Sequence, residues 1–111
     1  MTAQPPNPFT SAEGREFHRR QFRGVLEIDW GSSILTGSVR DIGPRGLFVE
    51  LTPPLWLGAT FSARLMVNPI IKLNCTVRRV EPGTGMGVRF DALDEHARLQ
   101  LEALLAALPN L

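Results

Sequence analysis

Hydrophobic and polar positions alternate in short runs along most of the chain, and the period lengthens only near its end. A period of two marks strands that bury one face and wet the other. Val25, Leu26, Ile28 and Trp30 predict a first strand, closed by the turn signal Gly31-Ser32-Ser33. Ile34 to Ile42 predict a second, with Leu35, Gly37 and Val39 on one face, broken by Gly43-Pro44-Arg45-Gly46. Leu47 to Leu51 form a third, stopped by Pro53-Pro54. Phe61, Ala63, Leu65 and Val67 alternate with Ser62, Arg64 and Met66 as a fourth, turned at Asn68-Pro69. Leu73, Cys75 and Val77 alternate with Lys72, Asn74, Thr76 and Arg78 as a fifth, and Pro82-Gly83-Thr84-Gly85 leads into a sixth over Met86 to Phe90. Then Ala97, Leu101, Leu104, Leu105 and Leu108 fall at helical spacing behind an N-cap at Asp94, and Pro109 ends the helix.

Six short strands with turn residues between them favour an all-β fold: a small six-stranded antiparallel β-barrel, which leaves no free edges, with a C-terminal α-helix. Leu65, Leu73, Cys75, Val77 and Val88 are expected inside. Residues 1–14 carry Pro5, Pro6, Pro8 and Gly14 without periodicity and are expected to be a flexible lead-in to one domain over 15–111. A chain of 111 residues suits one domain with a modest core and no cleft between domains.

The net charge of +1 argues against a general polyanion binder. Single-stranded nucleic acid would need aromatic platforms along a basic groove. Tyr is absent and the bases gather near one end, so neither DNA nor RNA is expected as a partner. Lys72 is the only lysine; arginine's planar fork favours bidentate recognition of phosphate and guanine. Cys75 is the only cysteine, which rules out an internal disulfide. The start of the chain has no basic and apolar signal pattern, and no apolar run reaches membrane-spanning length, so a cytoplasmic protein is expected. His18, His96 and Cys75 are too scattered for a metal site, and no nucleophile and base stand in a recognisable order. Neither an enzyme nor a cofactor is expected.

Two polar segments lie at predicted strand ends. The first is His18-Arg19-Arg20-Gln21-Phe22-Arg23, ahead of the first strand, and the second is Asp41-Ile42-Gly43-Pro44-Arg45-Gly46. Arginine can donate two parallel bonds to O6 and N7 of guanine, or pair with phosphate. Aspartate can accept from the N–H groups of guanine's Watson–Crick edge. Glycine admits close backbone approach or a positive φ. Together these groups fit a guanine nucleotide. Singly, an Arg cluster is more often a solvated face, and an Asp ahead of Gly-Pro a turn former.

In that order and on that strand pattern, the two segments resemble the PilZ domain family, whose members carry Arg-x-x-x-Arg and then Asp/Asn-x-Ser-x-x-Gly. Here they read Arg19-x-x-x-Arg23 and Asp41-x-Gly43-x-x-Gly46. Leu47-Phe48-Val49 after the second motif, and Gly85-Met86-Gly87-Val88-Arg89-Phe90 before the helix, are similar to the family as well; the resemblance covers roughly residues 15–108. It implies a PilZ-like split barrel and cyclic di-GMP as ligand. Arg19 and Arg23 would grip guanine and phosphate, Asp41, Gly43 and Gly46 would line the other side, and Arg20, Arg45 and Arg89 would be helpers. Gly43 stands where the family usually has Ser, which removes one neutral hydrogen bond, about 0.5–1.5 kcal/mol or up to roughly tenfold in affinity. Arg45 stands where a second glycine is common. The resemblance implies a monomer or weak homodimer that passes the signal to an unidentified protein partner. The alternative is a degenerate PilZ-like adaptor that binds a protein without nucleotide.

Overall fold

The computed structural model describes residues 19–109. The expected lead-in over 1–14, and with it His18, lies outside them. Six strands follow one another: β1 (Arg20–Trp30), β2 (Ser33–Ile42), β3 (Gly46–Glu50), β4 (Thr60–Leu65), β5 (Ile71–Glu81) and β6 (Gly85–Phe90). The helix α1 (Glu95–Ala107) comes last. All pairings are antiparallel, and the strands close a ring in the order β1-β2-β3-β6-β5-β4. Residues 51–59 carry the chain from β3 to the far side of the ring, with Leu55 buried in the core on the way. Where the β1–β2 hairpin ends and this connection passes, Trp30 and Trp56 meet edge to face, centroids 5.0 Å apart.

The alternating pattern puts Leu26, Ile28, Val39, Leu65, Cys75 and Val77 fully inside the ring. Leu73 and Val88, also expected inside, are buried with them. The helix is capped as its sequence requires: Ala97 N donates to Asp94 Oδ1 at 2.7 Å, a cap typically worth about 1 kcal/mol. Its buried residues Ala97 and Leu101 join the same core, and the helix packs on β5.

Several strand limits differ from the sequence reading: β4 stops at Leu65, short of the expected Met66 and Val67, and two strands run longer through polar stretches. β1 begins at Arg20, so Arg20 and Arg23 lie within a strand and not in a loop ahead of it. β5 continues past Arg78 to Glu81. In both cases cross-strand pairing carries a polar stretch that alternation alone would end, because backbone bonds to a neighbouring strand outweigh local preference. Both stretches also contain a bulge. The register slips between Gln21 and Gly24 in β1, between Val39 and Asp41 in β2, and between Val77 and Arg79 in β5. A bulge adds a residue and re-aims side chains. In β2, Val39 and Ile42 are both fully buried. They are three positions apart, so simple alternation would point one of the pair outward. The bulge resolves this by turning both Arg40 and Asp41 to the outer face.

Candidate functional site

Asp41 is the centre of the site. Its side chain is only 13% exposed, and its two oxygens are held by different arginines. Arg19 Nη2 donates to Oδ1, and Arg40 Nε donates to Oδ2 at 3.1 Å. The two motifs, far apart in sequence, thus meet directly through Arg19 and Asp41.

Opposite Asp41 in the β2–β3 ladder stands Phe48. Leu47 and Val49 on either side of it belong to the core, so Phe48 points outward, yet it is fully buried. Arg40 lies over its ring with the guanidinium carbon 3.8 Å from the centroid, and Arg79 lies 5.6 Å from the same centroid. Glu81 joins these two arginines, 3.2 Å from Arg79 Nη2 and 3.8 Å from Arg40 Nη1. Arg23, on β1, reaches Glu50 Oε1 at 3.2 Å. Arg19, Arg23, Arg40 and Arg79 therefore share one outer face with Asp41, Glu50 and Glu81, an excess of one positive charge held in place by ion pairs.

The remaining candidates are distributed around this face. Gly43 is buried, and its N–H donates to the carbonyl of Gly46 at 2.8 Å, closing a turn with Pro44 and Arg45 exposed at its tip. The carbonyl of Arg45 accepts from Phe90 N at 2.8 Å. Gly46 is glycine for a reason internal to the barrel: a Cβ there would run into the carbonyl of Val88 on β6. Its φ is not among the positive ones. Arg89 pairs with Gly46 in the β3–β6 ladder, with Nη2 3.7 Å from Asp91. Arg20 diverges from the group. Its Nε donates to the carbonyl of Leu105 at 3.4 Å, in the last turn of α1, an oxygen that also accepts from Leu108 N at 3.2 Å. Arg40, Phe48, Glu50, Arg79 and Glu81 were not singled out from sequence. The signal that could have found Arg40 and Arg79 is a polar pair flanked by apolar residues, Val39-Arg40-Asp41-Ile42 and Val77-Arg78-Arg79-Val80, which marks a bulge.

A cleft of about 480 Å³ lies on another part of the barrel, lined by residues that include Arg64, Asp29, Lys72 and Asp94. Its arginine is already engaged, bonded to both oxygens of Asp29 at 2.8 and 3.0 Å and to Glu27 at 3.4 Å. The bond from Arg64 holds the Asp29 carboxyl below its usual range. Arg64 and Lys72 against Asp29 and Asp94 leave this cleft without the excess of positive charge that the Asp41 face carries, so it offers an anion less. Among the described residues no His, Cys, Asp and Glu cluster could hold a metal, and no helix is long and apolar enough to cross a membrane.

The family model of the PilZ domain matches residues 13–107. The chain belongs to the PilZ family. PilZ domains are receptor-type signalling domains for cyclic di-GMP and generally carry no enzymatic activity. No curated protein matches the chain. In this PilZ barrel the two motifs arrive from adjacent strands, β1 and β2, and meet because Gln21 pairs with Asp41 across them.

Proposed function

We propose that this PilZ domain is a cytoplasmic receptor that binds cyclic di-GMP on the outer face around Asp41 and passes the signal to a protein partner. Arg19 and Arg23 take guanine and phosphate, Asp41 accepts from a guanine edge, and Gly43 and Gly46 form the floor of the turn. Arg45 and Arg89 flank this floor. The observation that carries the reading is the contact between Arg19 and Asp41, which joins the two motifs on a face that also holds Arg23 and Arg40. Arg19, Arg23 and Arg40 each rest on a carboxylate, so part of their side-chain entropy is already spent before the ligand arrives. Ligand binding exchanges the ion pairs of Arg19 and Arg23 for contacts with phosphate and base, which changes the surface offered to a partner.

The adaptor reading is favoured by one feature, Gly43 in place of the family's serine. Calorimetric titration with cyclic di-GMP separates the two. The receptor reading expects saturable heat with micromolar affinity, and much weaker binding of GTP or GMP. No heat up to high micromolar ligand would refute it in favour of the adaptor.

A further inference from the structure

Phe48 stands on the outer face of the barrel and is nonetheless fully buried. Two guanidiniums cover it, and they do so unequally. Arg40 sits at 3.8 Å from the ring centroid, a stacking distance, and Arg79 at 5.6 Å. A guanidinium is planar and delocalised, so one face can rest on a phenyl ring while the other receives a second flat group. The Arg40 side chain keeps 37% of its surface exposed. Its position is fixed from two directions, by Nε on Asp41 at 3.1 Å and by Nη1 near Glu81 at 3.8 Å. The Asp41 carboxylate that steers it also binds Arg19. The plate therefore adjoins the residues proposed to take the nucleotide. Arg79, with 61% of its side chain exposed, supplies a cation on the same ring.

Resting on the cyclic di-GMP reading, we infer that Arg40 is a stacking plate for one guanine of the ligand, levelled by Phe48 beneath it, and that Arg79 is the flanking cation for a phosphate. A purine offers a wide π face, and stacking on arginine needs no particular edge pattern. Base identity is then read elsewhere, by Asp41 and Arg19, while Arg40 adds affinity. Shielding Phe48 from water would need only the aliphatic stems and some guanidinium cover; it would not need the plate to be steered by the site's own aspartate.

Arg40→Lys keeps the charge and removes the plate, and Arg79→Gln removes the flanking cation. Each is titrated with cyclic di-GMP by calorimetry beside the parent, with melting temperatures recorded. Arg40→Lys is expected to weaken binding about three- to thirtyfold with little change in melting. Arg79→Gln is expected to lose less, by a factor that shrinks as salt is raised. In the unmodified protein, the Phe48 ring resonances should shift at saturation because a base now lies one layer above. Parental affinity in Arg40→Lys, or unshifted Phe48 resonances at saturation, would overturn the inference while leaving the receptor reading standing. A parent that does not bind cyclic di-GMP refutes both.

Discussion

Arg23 and Glu50 provide a test in which two neighbouring substitutions should move affinity in opposite directions. The Arg23 side chain is 62% exposed, with Nη1 3.2 Å from Glu50 Oε1, and it takes no part in the core. Without ligand, Arg23→Ala removes one exposed ion pair, worth about 0.2–1 kcal/mol. For a domain of this size that is a fall of roughly 8 °C in melting temperature at the very most. With ligand, the same change removes a charge-assisted contact worth about 1.5–3 kcal/mol, a loss of roughly 10- to 150-fold. Glu50 competes with the ligand for the same guanidinium. Glu50→Gln should therefore tighten binding, by up to about fivefold if the whole pair energy is returned. Calorimetric affinities and thermal melts of the parent and both variants decide the matter. An Arg23→Ala protein that binds as well as the parent would refute the assigned role. One that melts far below it would make Arg23 a structural residue.

Arg20→Ala should leave cyclic di-GMP affinity within about threefold of the parent, because its guanidinium serves the Leu105 carbonyl at the end of α1; a loss larger than that of Arg23→Ala would shift the motif assignment. Gly43→Ser should restore a hydroxyl and tighten binding by up to about tenfold, and calorimetry showing equal or weaker affinity would mean that the hydroxyl is not what limits it. Gly46→Ala should destabilise the barrel by about 1–3 kcal/mol, because the added methyl meets the Val88 carbonyl, and an unchanged melt would refute this close approach. Burial first, and then the nearby Asp91 charge, push the Cys75 thiol up to about 12. It should resist a thiol-specific reagent at about pH 8 until the chain unfolds, and since the unfolded thiol ionises near 8.5, stability should fall as pH climbs above that value. Rapid labelling of the native protein would contradict it.

Six strands, the capped helix and the buried face of β5 are legible in the sequence because alternation and a change of period survive folding unaltered. The site is legible only in part. Arg19 and Asp41 stand out through their motifs, whereas Arg40 and Arg79 do not, since a bulge is a property of two strands in register and one strand's sequence only hints at it. Leu47-Phe48-Val49 reads as a plain apolar strand, and nothing in that run tells that its middle member faces outward under a roof of arginines. Gly46 illustrates the converse. Its place in a motif suggests a ligand, while the carbonyl of Val88 already accounts for the missing side chain.

The Trp30–Trp56 pair has an optical consequence. The chain has two tryptophans and no tyrosine, so nearly all of its ultraviolet emission arises from this single indole pair. The pair joins the end of β1 to the connection over residues 51–59. On β1, Trp30 stands seven residues from Arg23, the arginine of the Asp41 face on that strand, about 23 Å along it. Emission therefore follows the mechanical integrity of the barrel and stays dark to the arginine face. A denaturation trace excited at the red edge of indole absorption, where guanine absorbs little, follows folding, and the same protein with an added fluorophore beside Phe48 would report occupancy on a separate channel.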